Sequence, residues 1–160
     1  MDQLWAPWRK AYILQKPAKK CFICRINASS QDAKNYILKR SPYSLAVLNL
    51  FPYNNGHLMV IPKRHVSGLE KLKDKELLDL MQLLAQMTKR VQKVMKCRGM
   101  NIGINLGKAG GAGVPGHIHV HVVPRWAGDS NFMPVIGNTK VISESLNSVY
   151  KRLKLGSERR

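Results

Sequence analysis

A chain of 160 residues with 44% hydrophobic and 22% charged side chains has the make-up of one ordinary globular domain, which excludes a disordered or fibrous protein. No run is apolar and long enough to span a bilayer, and Met1 to Lys10 holds charges and two tryptophans where a secretory leader needs an apolar stretch; the expectation is a soluble cytoplasmic protein. Lys and Arg number 27 against 9 acids, and the resulting charge of +18 concentrates nucleic acid, nucleotides or anionic membrane, yet the basic residues spread from Arg9 and Lys10 to Arg160 without a block or interleaved aromatics, so a dedicated nucleic-acid groove is not indicated.

In chain order, residues 1–20 read as an irregular arm with Pro7 and Pro17, anchored by Trp5 and Trp8. A short helix begins in Cys21 to Ile26, with Phe22, Ile23 and Ile26 on one face. The first strand is Ser44 to Leu50. Pro52 to Gly56 is a turn, and His57 to Pro62 is a second strand, antiparallel to the first because the connection is short. Asp74 caps a long helix that runs to about Cys97, with Gly99 as its stop. Its apolar stripe is Leu77, Leu80, Met81, Leu84, Met87, Val91, Val94 and Met95. Met100 to Leu106 is a third strand. Gly107 to Gly116 is a loop with five glycines, and Ile118 to Val123 is a fourth strand ended by Pro124. Ser143 to Leu153 is a last helix with Ile142, Leu146, Val149, Tyr150 and Leu153 inward. The sum is an α+β domain, an antiparallel sheet with helices packed on it.

Two features carry chemistry. Cys21 and Cys24 form a C-x-x-C pair, and without a secretory leader this reads as a metal or a redox pair rather than a structural disulfide. The stretch from Gly116 to Trp126 places His117, His119 and His121 at period two, hence on one face of a strand, with Ile118, Val120 and Val122 turned to the core. Such a row serves either metal binding or nucleophilic catalysis. The outer pair is separated by roughly 13 Å of strand, so one ion does not easily take all three. A neutral imidazole nitrogen attacks phosphorus, with its neighbours orienting it and binding the developing charge. The preceding glycine loop favours phosphorus, because glycine lets backbone N–H groups approach anionic oxygens, and Lys108 adds charge.

The His-apolar-His-apolar-His-apolar-apolar run over 117–123 resembles the motif of the histidine triad (HIT) superfamily. Pro124-Arg125 and the upstream Asn54-Asn-Gly-His57-Leu-Met-Val-Ile-Pro62 are similar to that family as well, and the resemblance extends from Cys21 to about Ile142. Leu4-Trp-Ala-Pro-Trp-Arg9 and Trp126-Ala-Gly-Asp-Ser-Asn-Phe132 are similar to a bacterial branch that includes diadenosine tetraphosphate phosphorylases. The resemblance implies a HIT-like antiparallel sheet of about five strands with one long helix and a C-terminal helix. It implies one HIT domain over 1–160, with 1–20 as arm, 21–142 as core and 143–160 as C-terminal helix and tail.

The resemblance also implies roles. His119 is the nucleophile that forms a nucleotidyl-imidazole with the α-phosphate. His121 helps hold that phosphate and the leaving oxygen, and His57 lies near the same phosphates. Asn49, eight positions before His57, takes the place of the ribose-binding residue. Asn105 contacts phosphate or leaving group, and Gly111 and Gly113 of the loop contact the nucleotide. Val47, Leu48, Leu50, Phe22, Ile23 and Ile26 stand as base-pocket candidates, with a core role as the alternative. Gly113 and Val114 occupy positions where some members carry Gln and then Ser or Thr, which favours the phosphorylase-like branch over dinucleoside triphosphate hydrolases and phosphoramidases.

In several branches a cysteine pair, a later strand-end histidine and the first triad histidine bind zinc; here these are Cys21, Cys24, His65 and His117, and the implied zinc is structural. The implied function is nucleotidyl transfer or hydrolysis on dinucleoside polyphosphates, with water or phosphate as acceptor, in a homodimer. The alternatives are a nucleoside phosphoramidase-type hydrolase, a nucleotide- or nucleic-acid-binding regulator, and a metalloenzyme with its ion on the triad face.

Overall fold

The computed structural model describes residues 21–137 and 139–155. The arm with Trp5 and Trp8, and the tail after Leu155, lie outside the described residues. Five strands, β1 (Ile37–Arg40), β2 (Ser44–Leu48), β3 (Leu58–Pro62), β4 (Gly99–Ile104) and β5 (Val120–Arg125), form one antiparallel sheet in the order β1-β2-β3-β5-β4. Helices α1 (Phe22–Ala28), α2 (Asp74–Met95), α3 (Met133–Gly137) and α4 (Leu146–Leu155) accompany it. The fold is α+β. Helix α2 links β3 to β4, and β5 then inserts between those two strands.

Both faces of the sheet are covered. Ala46, Leu48, Leu58, Val60, Val120 and Val122 meet Leu80, Leu83, Met87 and Val91 of α2 and Val149 and Leu153 of α4. Leu45, Val47, Met59 and Ile61 point the other way, against Ile23 and Ile26 of α1. Strands β2 and β3 are therefore buried at every position and, apart from Ser44, apolar, instead of alternating with polar residues.

Several boundaries differ from expectation. Strand β1 has only two apolar residues before Lys39 and Arg40, too few to stand out as a strand in the sequence. Strand β2 ends at Leu48, because Asn49 and Leu50 turn away and Leu50 is exposed. Strand β4 spans 99–104 rather than 100–106. Strand β5 starts at Val120, later than expected, and contains Pro124. The Pro124 carbonyl accepts the Asn54 amide on the side where pairing with β3 has already ended at Val122, so the missing proline N–H breaks no ladder bond. Helix α4 begins at Leu146, not Ser143.

In α2, Asp74 is the first helical residue and Lys73 holds the cap position; the Glu76 carboxylate accepts the Lys73 N–H at 2.9 Å. The helix ends at Met95, and Lys96 after it, with φ of +52°, takes the left-handed stop expected at Gly99. The buried stripe runs through Leu80, Leu83, Leu84, Met87, Val91 and Met95, whereas Leu77 and Met81 are 40% and 52% exposed. Periodicity finds the helix but not its rotation, and the stripe facing the sheet includes Leu83 in place of those two.

Arg40 fastens α1. Its guanidinium donates to the carbonyls of Ile26, Asn27 and Ser29 at 3.2, 2.9 and 2.7 Å and pairs with Asp32 at 2.9 Å. The carbonyls left open at the end of α1 are thus filled by a cation. Arg40→Ala is expected to cost about 2 kcal/mol, since several charge-assisted bonds are lost from a partly exposed side chain. A chemical-denaturation midpoint measures it, and an unchanged midpoint contradicts the role.

Candidate active site

The histidine row divides in two. Only His121 lies within β5; His117 and His119 precede it, so strand alternation does not govern all three. The His117 ring joins Cys21, Cys24 and His65, and the His119 and His121 rings join His57. All three triad side chains and His57 are buried.

Hydrogen bonds fix the tautomers of the second group. Tyr53 donates its backbone N–H to His57 Nδ1 at 3.0 Å, so the His57 proton sits on Nε2. His57 Nε2–H then donates to His121 Nδ1 at 2.9 Å, which leaves the His121 proton on its own Nε2. That last donor is buried without a hydrogen-bond partner, and a buried orphan donor calls for an acceptor. His119 donates Nδ1–H to the His117 carbonyl at 2.8 Å, so its Nε2 carries the lone pair. The His119 and His121 rings stand edge to face with centroids 4.9 Å apart. A nitrogen with a lone pair and an orphan N–H donor therefore belong to adjacent rings, an arrangement that can serve attack on an anionic centre.

Burial lowers the His57 pKa to about 3, with the His121 and His119 imidazoles adding to the effect; burial and His119 lower that of His121 to about 4. Both rings are neutral at pH 7, which the relay requires, since a cation has no ring acceptor. In the unfolded chain each titrates near 6.5. The folded values are depressed, so the stability tied to these rings is complete above pH 6.5 and is lost as pH falls from there toward 4 and 3. Near pH 5 this amounts to about 2 to 3 kcal/mol per pH unit for two protons. Urea midpoints at pH 7, 6 and 5 are expected to fall more steeply for the wild type than for His121→Asn; equal slopes contradict it.

The first group is a four-residue cluster. The ligand atoms of Cys21, Cys24, His65 and His117 all lie within 4.8 Å of one another. Cys21 Sγ and Cys24 Sγ are 3.5 and 3.6 Å from His117 Nδ1, and Cys24 Sγ is 3.3 Å from His65 Nδ1. Tetrahedral zinc with nitrogen and sulfur ligands separates its ligand atoms by roughly 3.5 Å, so the donor set fits. His117 Nε2 donates to the Pro62 carbonyl at 2.8 Å, which aims the lone pair of Nδ1 at the sulfurs. Burial and the adjacent Cys21 hold the Cys24 thiol pKa above its ordinary value. Among the described residues this is the group of His, Cys and acids arranged for a metal ion.

Asn49 lies beside the relay: its Nδ2 is 3.4 Å from His57 Nδ1, its N–H donates to the His57 carbonyl at 3.0 Å, and its Oδ1 accepts the Phe51 N–H at 3.0 Å. Asn105 donates to the Gly111 carbonyl at 3.4 Å and so braces the glycine loop. Gly111 has φ +85°, a conformation that favours glycine, and open space surrounds Gly113. The base-pocket candidates do not form one wall. Leu48 packs on the helix side of the sheet, away from the imidazoles, and Leu50 is exposed. Val47, Ile23 and Ile26 are core, with Phe22 packed at its edge.

Sequence reading missed Tyr53. Its contribution is a main-chain N–H, which no side-chain pattern signals, and its ring lies 4.6 Å from that of His57 and 5.7 Å from that of His121.

Comparison with known proteins agrees with this geometry. The family model of the HIT domain matches residues 30–128. An "AP-4-A phosphorylase" of Mycobacterium tuberculosis is 38% identical over 165 residues, covering 96% of this chain and 83% of that protein. A "Bis(5'-nucleosyl)-tetraphosphatase [asymmetrical]" of Schizosaccharomyces pombe is 39% identical over 93 residues, covering 58% of this chain and 50% of that one. Among solved structures, a Zn-bound histidine triad family protein from Mycobacterium smegmatis superposes with a TM-score of 0.68 at 26% identity, covering 86% of this chain and 92% of its own. With its sheet, its paired imidazoles and these relatives in agreement, the chain belongs to the HIT domain family.

Proposed function

We propose that this protein cleaves dinucleoside polyphosphates, adenosine types first, through a covalent nucleotide on His119. The observation that carries the reading is that two adjacent imidazoles, His119 and His121, present respectively an Nε2 lone pair and an orphan Nε2–H. The extensive similarity to a phosphorylase of diadenosine tetraphosphate supports the substrate class.

Chemistry follows from the tautomers. His119 Nε2 attacks the α-phosphorus in line, a P–N bond forms, and the P–O bond to the leaving phosphate chain breaks. The imidazole gains positive charge as it does so, and its Nδ1–H bond to the His117 carbonyl strengthens. His121 Nε2–H donates to a phosphoryl oxygen that gains charge in the transition state, and His57 holds His121 in the donating tautomer. Asn49 addresses the ribose, and the Asn105-braced loop offers backbone N–H groups to the remaining phosphates. In the second step the acceptor's oxygen attacks phosphorus, the P–N bond breaks, and His119 is regenerated. Diadenosine tetraphosphate first releases ATP; phosphate as acceptor then yields ADP, and water yields AMP.

Incubation with diadenosine tetraphosphate, with and without phosphate, tests the reading. ADP and ATP formed only with phosphate identify a phosphorylase, whereas AMP and ATP in both identify a hydrolase. Absence of turnover with every dinucleotide tried removes the proposed function.

Cys21, Cys24, His65 and His117 hold zinc in this reading. A closed set of two thiolates and two imidazoles supplies a structural crosslink and leaves no open position for water. His117 then ties the segment before β5 to the start of α1, and its carbonyl continues to orient His119. The same reading includes a homodimer through α2 and β4. Strand β4 is an edge strand with Ile102 exposed, and Leu77, Leu78 and Met81 of α2 are exposed apolar residues. Light scattering that returns twice the 18.1 kDa chain mass supports it; the monomer mass contradicts it.

A further inference from the structure

We propose that Asp129 and Asn54 are positioning residues for the imidazole relay, acting through the turn that carries Tyr53 and His57. This rests on the catalytic reading of His119 and His121 given above. Asp129 follows β5, and its carboxylate is almost wholly buried, with 7% of the side chain exposed. Its Oδ2 accepts three donors: Asn54 Nδ2 at 2.7 Å, Arg125 Nε at 2.7 Å and the Trp126 N–H at 3.2 Å. Oδ1 takes Arg125 Nη2 at 3.0 Å. The Arg125 guanidinium holds the carboxyl well below the usual carboxylate range, so it is an anion at working pH.

Asn54 is the recipient of this investment in geometry. Its buried amide spans two acceptors, Asp129 and the Pro124 carbonyl at 3.0 Å, which fastens the turn to the end of β5. The Asn54 carbonyl accepts the His57 N–H at 3.1 Å, and the residue before it supplies the N–H that fixes the His57 tautomer. Gly56, with φ +74°, lets the chain turn back into β3 against Pro124 and Met95. A continuous set of bonds thus runs from the Asp129 carboxylate through Asn54 and the turn to His57, and ends at the orphan N–H of His121. The turn is short, and Tyr53 and Asn55 on either side of Asn54 are outside the core. Asn55 ties the turn elsewhere, donating to Ser143 Oγ at 2.6 Å, so the link toward the end of β5 and Asp129 is made by Asn54. Asp129 touches no imidazole, so its effect on chemistry passes through Asn54.

The test is ¹⁵N spectroscopy of the histidine rings together with steady-state kinetics on the full chain. In the wild type, the long-range couplings should report Nε2–H tautomers for His57 and His121. In Asn54→Ala the expected result is a mixture of tautomers at both rings. A kcat for diadenosine tetraphosphate reduced about 10- to 100-fold, with KM changed less than about threefold, should accompany it. Asp129→Ala should reproduce this, and Asp129→Asn, which keeps an acceptor for Asn54, should restore most of the kcat. Native tautomers and native kcat in a folded Asn54→Ala or Asp129→Ala overturn the proposal. If Asn54→Ala does not fold, Asp129→Ala is read by the same two measurements. Should the wild type turn over no dinucleotide, the catalytic reading fails while the ring spectra still decide whether Asp129 and Asn54 set the tautomers.

Discussion

Replacing His119 by asparagine is expected to reduce dinucleotide turnover by on the order of 10⁴-fold or more, because in the proposed mechanism no other group carries the bond to phosphorus. Asparagine is close in size, and its amide still reaches the His117 carbonyl that His119 Nδ1–H now serves. The buried site is therefore filled and the lone pair alone is lost. Zinc content and unfolding midpoint should stay near wild type, which separates loss of a nucleophile from loss of a metal ligand. Acid quenching of the wild type during turnover should add one nucleotide mass to the peptide containing His119. His121→Ala should cost less, about 10²- to 10³-fold, as expected for a donor to a charged oxygen rather than the attacking atom. Retained turnover in His119→Asn removes the covalent route altogether.

The second large effect is expected at the metal cluster. Cys24→Ser, or chelation of the wild-type protein, should release one zinc per chain and lower the melting temperature by on the order of 10 °C, corresponding to roughly 3 to 5 kcal/mol. The size follows from what the cluster joins. Cys21 and Cys24 belong to the start of α1, His65 follows β3, and His117 precedes β5, so three segments distant in sequence are held at one point. Their ligand atoms already stand at zinc-like separations, so little rearrangement opposes binding. Turnover should fall with zinc loss, because the segment whose carbonyl orients His119 is anchored there. Elemental analysis and calorimetry decide the matter; metal-free protein of unchanged melting temperature contradicts a structural zinc. His65→Ala should have a smaller effect than either cysteine variant, since His65 is exposed and its place can be filled by water.

Much of this molecule is local in origin and was legible. The 22-residue helix α2 follows from apolar residues recurring at helical spacing, and the β2–β3 hairpin follows from two apolar runs around Pro52 to Gly56. The family is legible because its triad motif and upstream motif each occupy a short contiguous stretch. The rotation of α2 was not legible. Leu77, Met81 and Leu83 are equally apolar, and only the position of the sheet decides which of them are covered. Leu48 was misplaced as a base-pocket candidate for the same reason: in a strand buried on both faces, hydrophobicity carries no record of which face is which.

The sequence by itself determined that imidazoles, a cysteine pair and a glycine loop would be available to one domain, since these are covalent facts of composition and spacing. Only the tertiary structure decided how the imidazoles are shared. Period two suggests one row on one face, but β5 begins at Val120, and the residues before it follow their own hydrogen bonds. His117 turns to Pro62 and to cysteines more than 90 residues away, while His121 meets His57, 64 residues earlier and just before β3. A ring's direction and its tautomer depend on which donor or acceptor the folded chain brings beside it, and such partners, being remote, leave no mark on the local pattern of residues.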